Sequence, residues 1–443
     1  TATNSYVFYG ISTGQWLIKW LFIIGIILGL SRVVFIGFLA LIQFLRSRKR
    51  DEDHFGESYK PFVSVVVPAF NEEKVISRTI ESLLNSDYEN YEIIVVDDGS
   101  TDQTFEIASK LFGNHEKVWL YRKENAGKAE ALNYGWQRAE GKIIVALDAD
   151  TIFKPNTISE LVKRFADEKI GAIAGNAKVG NRINLVTKWQ ALEYVTSQNF
   201  DRRAFSLLNC ITVVPGSVGA WRKGVLEKTG GFSNDTLAED QDLTIQVRKL
   251  GYEIGYTENA IGLTEAPDTL RGLAKQRFRW SYGTLQCLWK HKNALFNPKY
   301  GTLGFVAMPN VWIFQVLFPL ISPLMDLMFV WTFVSALLGY LEHQHEYSPT
   351  NLTAVMLYYA MFLVVDMLGA SFAFLLEKRE QSSLLKWLLI QRFGYRQIIY
   401  YVMVKSIVTA IFGSIVGWGK LERKATVSSV EFTPKSSKQT ITG

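Results

Sequence analysis

Hydrophobic positions divide the chain into three zones with different periods. Residues 16–45, WLIKWLFIIGIILGLSRVVFIGFLALIQFL, are almost continuously apolar. About 20 such residues in a helix cross a bilayer, so a transmembrane helix is expected over 16–46, with RSRKR following at 46–50. Basic flanks favour the cytoplasmic side. That rule puts residues 1–15 outside as an extracytoplasmic segment and the chain beyond the polar linker 51–60 inside.

From 61 to 270 the period changes. The runs FVSVVVPAF (62–70), YEIIVVDDGS (91–100), VWLYRK (118–123) and KIIVALDAD (142–150) read as buried strands. Between them EKVISRTIESLLNS (73–86), DQTFEIASKLF (102–112) and KAEALNYGWQRA (128–139) read as amphipathic helices. Continuous apolar strands separated by helices imply a parallel sheet covered on both faces. Ligands on such α/β sheets bind beyond the carboxyl ends of the strands.

Residues 271–300 are basic and aromatic and read as an interfacial amphipathic segment; membrane helices are expected over 302–420. Candidate spans are 311–340, 354–376 and 397–418, and the last residues, 424–443, read as a disordered tail. The loop LEHQHEYSPTNL (341–352) lacks Lys and Arg, which suits the outside, whereas EKRE (377–380), Arg392 and Arg396 suit the inside. Three spans then leave KLERK (420–424) outside, against the charge rule. Either 302–340 contains two membrane elements around Pro319 and Pro323, or the rule fails there, so the span count stays open.

Composition adds two bounds. The 443 residues carry a net charge of +6. Much of the basic charge adjoins apolar segments, which points to membrane orientation; no motif supports a nucleic-acid partner. Only Cys210 and Cys287 occur, too few to staple a chain this long, so reduced thiols are expected.

Acidic residues gather at strand ends: Asp97 and Asp98 at one, Asp148 and Asp150 at another. Such carboxylates are costly to place together, and a Mg²⁺ or Mn²⁺ ion bound to a diphosphate would offset the repulsion, because hard cations share oxygen ligands with phosphate. The plainer reading is that these are turn formers. Ala238-Glu239-Asp240 precedes a helical pattern, DLTIQVRKLG. A helix N-terminus favours an ionised carboxylate, which suits either a plain cap or a general base. QRFRW, Gln276 to Trp280, lies in a segment that suits an interfacial helix. It also suits a site in which Arg277 or Arg279 meets diphosphate charge and Trp280 faces a sugar ring; the two readings are compatible.

These pieces, in this order, resemble the family 2 inverting glycosyltransferases, in particular the membrane polysaccharide synthases, a group that includes cellulose, chitin, hyaluronan and poly-N-acetylglucosamine synthases. The resemblance covers about 60 to 420 and rests on VVPAFNE, VVDDGS, NAGKAEALN, DAD, AED and QRFRW together. It implies an α/β, GT-A-type nucleotide-sugar-binding domain inserted between transmembrane helices. By resemblance, Ala69, Glu72 and Asp98 hold uridine, and Lys128 lies near the diphosphate. Asp148 and Asp150 match the DxD element, with Asp150 the direct ligand of Mg²⁺ or Mn²⁺. Asp240 matches the catalytic base, with Glu239 beside it on the acceptor side. Gln276, Arg279 and Trp280 match the element that closes over donor and acceptor. Two departures stand out: Ala238 replaces the usual Thr of TED, and VPGSVGAWR (214–222) is only loosely like the family's Gly-rich acceptor stretch, from which Gly216 and Ser217 are taken.

The implied enzyme is a processive hexosyltransferase of a cell (inner or plasma) membrane, multi-pass, with its catalytic domain cytoplasmic. Its expected partners are a UDP-sugar donor, the growing polysaccharide acceptor and membrane lipids, with room for an accessory membrane subunit. Motif style favours UDP-N-acetylglucosamine and a β-linked, exported product. The alternatives are a cellulose-like synthase using UDP-glucose and a non-processive transferase acting on a lipid carrier. Asp326, Asp366 and Lys405 interrupt apolar stretches; intramembrane charge is expensive, so they either pair with one another or line a polysaccharide path.

Overall fold

The computed structural model describes residues 2–52, 56–342, 350–377, 380–413 and 424–427. Eight strands form one sheet: β1 (Val63–Ala69), β2 (Tyr91–Asp97), β3 (Val118–Arg122), β4 (Ile143–Ala146), β5 (Ile152–Phe153), β6 (Ile170–Val179), β7 (Gly219–Arg222) and β8 (Glu253–Thr264). Their order is β3-β2-β1-β4-β7-β6-β8-β5. The four strands expected from the continuous apolar runs are adjacent and parallel, with β1 paired to β2 and β4, and β2 to β3. β1 and β2 are buried along their whole lengths, as strands covered on both faces should be.

The sheet is not wholly parallel, as the sequence had implied. β7 runs antiparallel between β4 and β6, and β5 runs antiparallel to β8. These strands span 4 and 2 residues, too short to carry a periodicity of their own. The result is a mixed sheet whose parallel half delivers the ends of β1, β2 and β4 to one edge.

At the amino-terminal end one unbroken helix, Ala2–Glu52, replaces the expected division between a segment 1–15 and a span 16–46. Among the described residues, three helical stretches are long and apolar enough to cross a membrane: Ile23–Arg50, Leu303–Leu327 and Tyr359–Leu376. Residues 302–342 follow a continuous helical path with two π-helical stretches, and do not split around Pro319 and Pro323. The helix Tyr395–Ile411 has 17 residues, and positions 414–418 of the third expected span lie outside the described residues.

Buried and half-buried ion pairs join the sheet domain to these helices. Arg32 of the first helix meets Asp201 at 2.5 Å. Lys178 on β6 bridges to Glu377 at 3.0 Å and Glu380 at 3.2 Å, and Arg182 meets Glu380 at 2.8 Å. The acidic residues of EKRE therefore serve the domain interface. Asp326, Asp366 and Lys405 do not pair with one another. Asp366 meets Arg392 at 3.1 Å and also Arg396, Asp326 accepts from Gln397 at 3.2 Å, and Lys405 lies 5.0 Å over the Phe278 ring. Each finds a partner on a segment packed beside it, which removes the need for a mutual cluster.

Of the tail 424–443 expected to be disordered, residues 424–427 are held on the sheet domain, and 428–443 lie outside the described residues. Glu265 accepts from the backbone N–H of Lys424 at 2.8 Å and of Ala425 at 3.0 Å, and from the Thr426 hydroxyl at 3.1 Å. Arg78 donates to the Ala425 carbonyl at 3.0 Å, and Val427 packs against Ile261 and Leu263. A carboxylate collecting three donors and an apolar anchor fix this short segment on the sheet domain.

Candidate active site

A cavity of about 630 Å³ opens where the chain leaves β4, enters β7 and begins the helix Glu239–Lys249. Ten of the thirteen residues that the resemblance assigns to the site line it: Lys128, Asp148, Asp150, Gly216, Ser217, Glu239, Asp240, Gln276, Arg279 and Trp280. Ala69, Glu72 and Asp98 do not. They form a neighbouring group at the ends of β1 and β2, where the Asp98 N–H donates to the Ala69 carbonyl at 2.8 Å and the Glu72 N–H to the Thr104 hydroxyl at 2.7 Å. The two groups are joined by the loop before Lys128. Asp98 accepts from the backbone N–H groups of Ala126 at 3.0 Å and Gly127 at 2.8 Å, and pairs with Lys123 at 2.7 Å. Gly127 takes φ +94°, a conformation that L side chains resist, and the helix Lys128–Arg138 starts at the next residue. Asp98 thus sets where Lys128 begins.

Lys128 extends into the cavity between Asp148 at 2.7 Å and Glu239 at 2.8 Å. Burial works against its charge, but the carboxylates of Asp148, Glu239 and Asp240 outweigh burial and raise its pKa. Gly216 makes room for it: a Cβ there would lie 2.7 Å from the Lys128 Nζ.

Asp240 faces the same space. It accepts from the Gln241 N–H at 2.8 Å and the Gly216 N–H at 3.3 Å. Its pKa is pushed up to about 6, first by burial and then by the charge of Glu239, with Lys128 acting in the opposite sense. A carboxyl group tuned this way is a better proton acceptor from an alcohol than an ordinary one. Ala238, where the family has Thr, begins the helix without a side-chain cap.

The helix Leu270–Lys290, capped by Thr269, carries QRFRW across the cavity. It packs on the Ala238–Asp240 turn with little clearance: a Cβ on Gly283 would lie 2.8 Å from both Cβ and N of Ala238. Thr284 donates to Gln241 at 2.8 Å, Gln286 accepts from the Leu237 N–H at 2.8 Å, and His291 and Lys290 meet Asp242 at 2.7 and 2.9 Å. QRFRW and Asp240 are therefore parts of one rigid unit. The structure separates the two arginines that the sequence left open. Both line the cavity, but the Arg277 guanidinium is already engaged, by Glu193 at 2.5 Å and by the Trp280 ring 4.1 Å away.

Glu193, Tyr194 and Arg202 also line the cavity and had escaped the sequence reading. Glu193 ends the helix Leu185–Glu193, Tyr194 begins the π-helical turn Tyr194–Asn199 that continues it, and Arg202 lies in the helix Phe200–Leu207 that follows. No strand end or charge cluster marks them.

Asp148 and Asp150 offer hard oxygen donors at one wall. Among the described residues no group of three or more His, Cys, Asp or Glu is arranged to hold a metal ion. That donor set fits a Mg²⁺- or Mn²⁺-type ion bound by one or two carboxylates and completing its shell with substrate phosphate and water. The ammonium of Lys128 against Asp148 indicates that this wall accepts a cation.

A family model described as glycosyltransferase like family 2 matches residues 61–283, the sheet domain and the helix as far as Gly283. The chain is 32% identical over 222 residues to the poly-β-1,6-N-acetyl-D-glucosamine synthase of Staphylococcus epidermidis, covering 50% of this chain and 54% of that protein. It is 29% identical over 260 residues to the synthase of the same name from Staphylococcus aureus (strain COL), covering 58% and 63%. The chain thus aligns with less than two thirds of the length of these curated relatives. A mannosyltransferase from Pyrobaculum calidifontis, solved in complex with GDP-Man and Mn²⁺, matches the fold with a TM-score of 0.51 at 18% identity, over 88% of this chain and 100% of that one. The fold is accordingly a GT-A-like α/β sheet flanked by candidate membrane helices. With half its length matched across the sheet, the acidic turns and most of the QRFRW helix, the chain belongs to family 2 of the glycosyltransferases.

Proposed function

We propose that the chain is a processive inverting hexosyltransferase that polymerises UDP-N-acetylglucosamine into a β-linked polysaccharide at the cytoplasmic face of the cell membrane and passes the product across it. One observation carries the reading. The cavity that contains Asp150, Asp240 and Trp280 continues between the candidate membrane helices, where Ile26, Val33, Phe314, Phe318 and Val365 line it. Donor chemistry and a route for product thus share one space. The sugar follows from the relatives named as poly-β-1,6-N-acetyl-D-glucosamine synthases. UDP-glucose is the runner-up donor, and transfer of a single sugar to a lipid carrier is the runner-up reaction.

In this mechanism Ala69, Glu72 and Asp98 seat the uridine, and Asp148 and Asp150 face the diphosphate. A Mg²⁺ or Mn²⁺ ion held by Asp150 would neutralise diphosphate charge when bound. Lys128 and Arg279 supply fixed positive charge where the leaving oxygen becomes negative, which lowers the barrier most when it is preorganised. Gln276, Glu239, Ser217 and the Gly216 backbone border the acceptor. Trp280 offers its face to the terminal sugar. Asp240 takes the proton of the acceptor hydroxyl as that oxygen attacks the anomeric carbon from the face opposite UDP. The bond to the diphosphate oxygen breaks in the same displacement, and an α-linked donor yields a β-linked product.

Orientation rests on two features. RSRKR follows the first apolar run, and basic flanks favour the cytoplasm. Residues 424–427 dock on the sheet domain, so the chain from 303 to 424 crosses the membrane an even number of times. Among the described residues two stretches in that range are apolar and long enough, and Lys424, the last residue of KLERK, then falls on the cytoplasmic side, in accord with the charge rule.

The test is a panel of UDP-sugars incubated with purified protein and Mg²⁺ or Mn²⁺, with UDP release and product read together. UDP-N-acetylglucosamine should give the fastest release and a polymer. Faster turnover of UDP-glucose would transfer the reading to the runner-up donor, and a product one sugar long would remove processivity.

A further inference from the structure

Arg277, Glu193 and Tyr395 form a closed triangle against Trp280, with Arg277 and Glu193 also at the cavity wall. Arg277 Nη2 donates to Glu193 Oε2 at 2.5 Å and to the Tyr395 hydroxyl at 2.9 Å, and its Nε reaches the same hydroxyl at 3.2 Å. The Tyr395 hydroxyl in turn donates to Glu193. The Arg277 guanidinium lies 4.1 Å over the Trp280 ring, and the Tyr194 ring lies 6.5 Å from that indole. Burial works against the Arg277 charge, but the Glu193 carboxylate and the Tyr395 hydroxyl outweigh it and raise its pKa.

The three residues come from three separate segments. Glu193 ends the helix Leu185–Glu193, Arg277 lies in Leu270–Lys290, and Tyr395 begins Tyr395–Ile411. Tyr395 is itself fixed. Its ring meets Trp189 edge-on at 6.1 Å, Gln391 donates to the Trp189 carbonyl at 3.0 Å, and a Cβ on the preceding Gly394 would fall 2.9 Å from the Trp189 ring. The guanidinium therefore has little freedom, and neither has the indole beneath it. An indole whose plane is fixed on one side presents a preset face to the cavity, and small displacements of a positioned group are costly for transfer.

We infer that Glu193 and Tyr395 are positioning residues, which act through Arg277 to fix the Trp280 face at the acceptor end of the cavity and so tie the helix Tyr395–Ile411 to chain elongation. The inference rests on the transferase reading above and deepens it. Neither residue contacts the donor in this scheme, so each should affect the rate of elongation and the length of product while leaving donor affinity alone.

The experiment compares wild type, Glu193→Gln, Tyr395→Phe and the double variant for UDP affinity, donor KM, kcat of UDP release and product length. Both substitutions keep size and shape, and Tyr395→Phe removes only the hydroxyl. The expected result is kcat lowered roughly ten- to hundredfold with shorter product, UDP affinity and donor KM within about twofold, and a double variant no worse than the poorer single one, as for groups acting as a unit. Folded single variants with wild-type kcat and product length overturn the inference and leave the transferase reading standing. Loss of UDP affinity in step with kcat, or strictly additive losses in the double variant, also overturns it. A wild type that releases no UDP from any UDP-sugar overturns the transferase reading, and the inference falls with it.

Discussion

Asp240 stands between opposing influences: burial and Glu239 raise its pKa, while Lys128 and the Gln241 N–H lower it, and the balance lies at about 6. In the proposed mechanism Asp240 acts in its basic form, so kcat/KM should fall as pH drops through about 6 and level off above it. Lys128→Met removes a positive charge that favours the carboxylate. It should therefore move this acid limb to higher pH, and a pH–rate profile of the variant checks the direction. Asp240→Asn removes the base without changing shape, and transfer should drop about 10²- to 10⁴-fold while UDP binding, followed by titration, survives. The acidic residues that line the cavity were legible in the sequence because they stand at strand ends and a helix start, where the chain pattern is plain. Glu193 and Tyr395 were not legible. Nothing local marks either, and their roles come from segments about 200 positions apart meeting against Trp280.

The helix Leu270–Lys290 joins donor-side and base-side parts of the site, and its seat depends on an absent side chain. Gly283 meets Ala238 with no room for a methyl group. Gly283→Ala should cost about 1–3 kcal/mol, as overpacking does, and should lower activity because the helix and the Glu239–Asp240 turn move apart. Thermal unfolding in detergent, paired with UDP release, measures both effects. Element types in the parallel half of the sheet could be read directly: β1, β2, β3 and β4 are runs of apolar residues between helices with a clear amphipathic face. β7 could not, because GAWR follows a Gly-rich turn and is held by its neighbours' ladders rather than by its own propensity. The helical nature of 2–15 was equally hidden, since a polar stretch gives no span signal even where an adjoining helix simply continues through it.

At the scale of the whole molecule, ion pairs tie the sheet domain to the candidate membrane helices. The Lys178–Glu377–Glu380–Arg182 cluster is buried and the Arg32–Asp201 pair half-buried, and removing one partner from a buried pair is strongly destabilising. The domain and the helices should therefore move as one body. The docked segment 424–427 supplies a constraint on membrane topology that charge counting alone had left in conflict. A cysteine at Ala425→Cys, in a background where Cys210 and Cys287 are replaced, should react with a membrane-impermeant maleimide only after cells are permeabilised. Labelling of intact cells would contradict an even number of crossings between 303 and 424. The central claim, a metal-assisted inverting transferase that extends a chain through its own membrane helices, is tested most directly by one measurement: product length from purified wild type and Asp240→Asn incubated with UDP-N-acetylglucosamine and Mn²⁺. The wild type should yield a long polymer degraded by a β-specific N-acetylglucosaminidase and the variant none; a wild type that makes no polymer, or a variant that makes it equally well, would contradict the account.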